Sequence, residues 1–136
     1  MLARLTIAFL VLTACSGGPT PEKAEKERQR TASAASSATM ISEAWDSGAA
    51  PAIYAAHALR QISTGLLRAG AAPVWSALPP GPRTAIITEL MALHGVTAGM
   101  DSAIGRRDRG SLRALRGQLQ DHAHALAAVR IDTVAR

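Results

Sequence analysis

Ile86-Ile87-Thr88-Glu89-Leu90-Met91-Ala92-Leu93-His94-Gly95-Val96-Thr97-Ala98-Gly99-Met100-Asp101-Ser102-Ala103-Ile104 is the stretch whose spacing decides the fold. Ile86, Leu90, Leu93, Thr97, Met100 and Ile104 recur in steps of three and four. That period keeps one face of an α-helix toward a partner. Pro82 suits the first turn, where a missing N–H costs nothing. Gly105 gives a stop. Gly95 and Gly99 lie inside the helix and each costs up to about 1 kcal/mol against alanine. Their spacing predicts a packing role, either close approach of a neighbouring backbone or a bend.

Three more segments share this period. Upstream, Glu22 to Ser47 carries the stripe Thr31, Ala34, Ala38, Ile41 and Trp45, with first turns that lack it and are expected to be solvated or frayed. Gly48 is the expected stop. A second helix runs from Pro51 to Ala69 with Ala55, Leu59, Ile62 and Leu66 on one face, and Gly70 ends it. Downstream, Asp108 or Ser111 is expected to cap a fourth helix ending near Ile131, with Leu112, Leu115, Leu119, His122, Leu126 and Val129 as its stripe. Prolines at 73, 79 and 80 forbid a long helix in between, so Val74, Trp75 and Leu78 are read as one turn that lids the bundle end. Aromatic residues are scarce, and alanine, the best helix former, is abundant. No alternating β-branched run reads as a strand. The chain is expected to be all-α, an up-down four-helix bundle, with a three-helix bundle and a protruding first helix as the alternative.

The amino-terminal residues speak to location. Arg4 precedes an apolar run from Leu5 to Leu12, and Leu12-Thr13-Ala14-Cys15 follows, ending on the single cysteine. A charged n-region and a short apolar h-region are the physical needs of a secretory signal. The run is far shorter than the roughly 20 residues that span a bilayer. The tetrapeptide resembles the lipobox of bacterial lipoproteins. That resemblance implies a signal peptide over 1–14, cleavage between Ala14 and Cys15, and acylation of Cys15. Ser16 follows in place of aspartate, which in that family looks like an outer-membrane address facing the periplasm. Residues 15–21 then read as the lipidated cysteine and a flexible Gly/Pro tether, and 22–136 as the helical domain. With one cysteine, an intrachain disulfide and a C-x-x-C-H haem attachment are both excluded.

Charge is uneven. The chain carries 15 basic and 10 acidic residues, a formal net charge of +5. The excess sits in Arg106, Arg107, Arg109, Arg113 and Arg116, the last three on one side of a helix. Beside a lipid anchor such a patch suits anionic lipid head groups or carboxylate-bearing envelope polymers, at roughly 1 kcal/mol per charge near an anionic surface. A solvated helix face is the plainer reading. Nucleic acid is not the expected partner in a periplasm.

Motifs for chemistry are missing. The sequence has no G-x-S-x-G elbow, S-x-x-K pair, phosphate loop or dinucleotide fingerprint. His122 and His124 stand about 200° apart on a helix and cannot share a metal. His57 falls opposite its stripe, and His94 lies beside Met91. Glu43 and Asp46 share a face and read as a solvated helix end. Neither a metal nor a cofactor is expected. The reading is therefore a non-enzymatic, membrane-anchored envelope protein with a binding, scaffolding or accessory role. One alternative is a haem or small-ligand carrier, with His122 and Met40 as an axial pair inside the bundle. Another is a phage or plasmid envelope factor, such as an entry-exclusion protein.

Overall fold

The first and last helices begin on side-chain caps, and the two between them begin behind prolines without one. In the computed structural model, which describes residues 17–133, α1 spans Pro21–Asp46, α2 Ala52–Gly70, α3 Pro80–Gly105 and α4 Arg109–Ala128. Thr20 caps α1, its hydroxyl accepting from the Lys23 amide at 3.2 Å. Pro80 and Pro82 both fall in the first turn of α3, where their missing N–H groups are no loss, so α3 starts two residues earlier than the sequence suggests.

The ends of α1 and α3 are built alike. After α1, the Gly48 amide donates to the Trp45 carbonyl and Ala49 to Ala44. After α3, Arg107 donates to Ile104 and Asp108 to Ala103. Both are the paired bonds that close a helix through one left-handed residue. Gly48 takes that conformation freely at φ 81°, whereas Arg107 holds it at φ 55° with a full side chain.

The four helices form an up-down bundle in which α1 packs on α2 and α4, and α3 packs on α2 and α4. α1 docks along its length, so the alternative with a protruding first helix does not hold. Antiparallel pairing is visible in the contacts. Arg60 of α2 meets Asp101 of α3 at 3.2 Å, Glu89 of α3 meets His122 of α4 at 2.7 Å, and Asp46 meets Arg109 at 3.1 Å across the α1–α4 pair. Among the described residues no helix is long and apolar enough to cross a membrane.

The α3 stripe is buried as read, Ile86 through Ile104. So are Leu112, Leu119 and Leu126 of α4, and Ala55, Leu59 and Leu66 of α2. In α1 the buried line is Ala24, Thr31, Ala35, Ala38, Ser42 and Trp45, which replaces Ala34 and Ile41 by Ala35 and Ser42 and moves those two to its flank. The first turns are not frayed either. Ala24 is buried, and the Arg28 guanidinium donates to the carbonyl of Val129 at the end of α4. That bond takes up a terminal carbonyl, and Val129 is already extended, so α4 stops at Ala128 short of Ile131.

Between α2 and α3, Pro73–Ala77 forms one 3-10 turn. Trp75 is buried there, its indole N–H donating to the Ala69 carbonyl at 2.6 Å, and Leu78 is buried beside it. This is the expected lid. The close approach assigned to Gly95 is found elsewhere. Gly95 faces open space, Gly99 is covered by the Leu115 side chain, and the glycine a neighbour presses against is Gly70, under the Met91 methyl.

Candidate functional site: the arginine-rich end of the bundle

The connections divide the molecule into two ends. At one, Pro21 lines a pocket with Leu78, Pro82 and Ile131, so the start of α1 meets the lid and the end of α4. At the other lie the α1–α2 turn and the α3–α4 turn. α1 has 26 residues, which separates the ends by about 39 Å at 1.5 Å per residue. The arginine cluster is at the end away from Pro21.

Asp46 organises that cluster. It is the last residue of α1, at the negative pole of the helix dipole. Arg109 is the first of α4, at the positive pole. Each charge is misplaced on its own helix, and antiparallel packing sets them against each other. Arg113 forms a two-pronged pair with Asp46, Nε at 2.9 Å and a terminal nitrogen at 3.2 Å. Arg116 reaches Asp46 at 3.2 Å and donates to the Ser42 hydroxyl at 2.7 Å. Arg109 donates to the Asp46 carboxylate and backbone carbonyl and lies 4.7 Å from the Trp45 ring centre. The Asp46 side chain is only 12% exposed. Hydrogen bonding from Arg113, joined by Arg109 and Arg116, holds its carboxyl well below the ordinary carboxylate range, against the opposing effect of burial. Asp46 is thus the core of an ion cluster, which corrects its reading as a solvated helix end; Glu43 stays exposed.

Arg106 and Arg107 are different. Both are exposed on the α3–α4 turn, and neither forms an ion pair among the described residues. Asp108 beside them is engaged as the cap of α4, accepting from the Ser111 amide at 3.0 Å and hydroxyl at 2.6 Å. Those bonds, the hydroxyl's first, hold its carboxyl below the usual range. This end therefore carries five guanidinium groups against the three carboxylates of Glu43, Asp46 and Asp108, of which Asp46 and Asp108 are engaged by hydrogen bonds.

Sequence reasoning missed the apolar side chains at the level of Arg106 and Arg107. Ile53 and Tyr54 are 87% and 61% exposed at the start of α2. Ile53 lies two turns before Arg60 on the same face, the face from which Arg60 reaches Asp101 of α3. Continuing that antiparallel register by two turns brings Ile53 level with the α3–α4 turn. The signal was available, because both residues fall off the Ala55–Leu66 stripe.

The histidines are placed individually. His122 Nδ1 bonds Glu89 of α3, while Met40 is 68% exposed and lines an outer α1–α4 groove with Leu119, Ala123 and His124. The suggested axial pair takes opposite sides of α4 and does not meet inside the bundle. His94 Nδ1 lies 2.8 Å from the Ser63 carbonyl, which only accepts, so that nitrogen carries the proton. The Ser63 hydroxyl, 2.9 Å from the same nitrogen, donates to the His94 carbonyl at 3.2 Å. The pair staples α2 to α3. His57 is exposed and contacts Gln61 on its own helix. No group of three or more metal-ligating side chains occurs among the described residues. Ala14 and Cys15 lie outside the described residues. Comparison with family models, curated proteins and solved structures finds no match to this chain.

Proposed function

We propose that this chain is a lipid-anchored accessory protein of a bacterial envelope, held through acylated Cys15 with its bundle in the periplasm, and that it acts by binding and not by catalysis. The observation that carries this is Leu12-Thr13-Ala14-Cys15 behind a charged and then apolar leader. Helix α1 begins at Pro21, so a few residues separate the acylation site from the folded bundle. The Lys23 ammonium donates to the carbonyls of Gly17 and Gly18, which draws the tether back along the start of α1. An anchor of two or three acyl chains holds stably where one chain holds only reversibly, since each buried methylene contributes roughly 0.8 kcal/mol.

Mass spectrometry of the mature amino terminus tests this. The expected species begins at Cys15 and carries the added acyl mass. Cys15→Ala is expected to accumulate as an uncleaved precursor. A mature chain with a bare thiol at Cys15, or normal processing of the variant, overturns the proposal.

A further inference from the structure

We infer that the end of the bundle remote from Pro21 is a docking surface for an anionic phospholipid bilayer, one other than the bilayer that holds Cys15. This rests on the anchoring reading for its geometry, though the surface stands on its own observations. Arg109, Arg113 and Arg116 are turned toward Asp46, so the cations left outward at this end are Arg106 and Arg107, against the one exposed carboxylate of Glu43 on α1. They share a level with Ile53 and Tyr54, the first of which is the most exposed large apolar side chain among the described residues. Exposed arginine next to an exposed aliphatic and a tyrosine matches a head-group region. Guanidinium groups pair with phosphate, and the apolar and amphipathic side chains enter the boundary with the acyl chains. A hydrated acidic polymer would satisfy the arginines but leave Ile53 in water.

The direction follows from the fold. The lipid tether enters at the opposite end, about 39 Å away along α1. A bundle standing on its anchor therefore presents Arg106, Arg107, Ile53 and Tyr54 away from its own bilayer. Arg107 adds a further argument. It occupies a left-handed position where glycine is the favoured residue. The tight turn holds its guanidinium exposed, with no ion pair among the described residues.

The test uses the acylated chain reconstituted into neutral phosphatidylcholine vesicles, mixed with separate vesicles containing phosphatidylglycerol. Clustering of the two populations is followed by light scattering. The expected result is clustering that needs the anionic vesicles and weakens with salt. Combined Arg106→Gln and Arg107→Gln should weaken it about 30-fold, from roughly 1 kcal/mol per charge removed. Ile53→Ser with Tyr54→Ser should weaken it with all charges intact. All four positions are exposed, and an unchanged circular dichroism melt verifies that each variant is folded. Retention on the neutral vesicles reports the anchor separately. If the chain is not retained, the anchor fails and the surface is read directly, as protein that pellets with the phosphatidylglycerol vesicles. Undiminished binding by the arginine variant, or binding to an acidic polymer such as polyglutamate with none to the anionic vesicles, overturns the inference.

Discussion

Asp46 shows how one side chain sets the pH response of the bundle. Its carboxyl is held below the ordinary range by Arg113, Arg109 and Arg116. The folded chain therefore keeps this site unprotonated where the unfolded chain, with a carboxylate pKa near 3.9, takes up a proton. A folded state that binds fewer protons gains stability as pH rises. The Asp46 contribution is complete above about pH 5 and is lost as pH falls toward the folded pKa. Urea unfolding between pH 2 and 6 is expected to show a midpoint that falls with acid, and Asp46→Asn should flatten that slope. An unchanged slope in the variant would place the acid sensitivity elsewhere, with Asp108 as the next carboxylate to test. Arg107 makes the opposite kind of statement. Arg107→Gly relieves a left-handed side chain and is expected to stabilise the bundle by about 0.5–1 kcal/mol. A melting temperature raised by roughly 2–5 °C would register this; a drop would mean that the Arg107 side chain makes a folded-state contribution larger than its strain.

At the scale of the element, α1 and α3 solve the same problem with different materials. The buried positions of α3 are large, from Ile86 to Ile104, so they fill space and stand out in the sequence. Those of α1 are Ala24, Thr31, Ala35, Ala38 and Ser42, with one large residue at Trp45. Small side chains let α1 lie close to its neighbours, and Ala38 is completely buried. Ala38→Leu is therefore expected to destabilise by about 1–3 kcal/mol through overpacking, whereas Leu119→Ala should cost about 2–5 kcal/mol through the cavity it leaves. Chemical denaturation of both variants measures the pair; a neutral Ala38→Leu would mean that the α1 interface is loose. The same contrast explains what could be read in advance. The α3 stripe was legible because bulky residues carry hydropathy. The α1 stripe was legible at Thr31, Ala38 and Trp45 but slipped to Ala34 and Ile41 elsewhere, because Ala34 and Ala35 are identical to any pattern. The Asp46 cluster was hidden for another reason. Its partners lie 63 to 70 positions away, and only the antiparallel return of α4 brings them together. Ile53 and Tyr54 could have been read as exposed, since both fall off the Ala55–Leu66 stripe, but what they stand level with depends on how α2 packs against α3.

For the whole molecule the two tryptophans mark the two ends. Trp75 is buried in the lid near Pro21, and Trp45 is buried at the far end beneath Arg109. No helix buries its apolar face alone. α1 leans on α2 and α4, and α3 joins those two from the other side. Loss of one helix exposes the inner face of two others, so the bundle is expected to unfold as a single cooperative unit. Two single-tryptophan variants, Trp45→Phe and Trp75→Phe, separate the ends. In each, the remaining tryptophan's fluorescence and the far-ultraviolet circular dichroism should share one urea midpoint and one slope. Trp75→Phe removes the hydrogen bond to the Ala69 carbonyl and should shift its common midpoint downward by the equivalent of about 1 kcal/mol. If the Trp45 signal were lost at lower urea than the helical signal, α1 would be opening before the rest. The bundle would then behave as three helices with a detachable first. The arginine-rich end, which depends on Asp46 of α1 to hold Arg109, Arg113 and Arg116 inward, would rearrange with it.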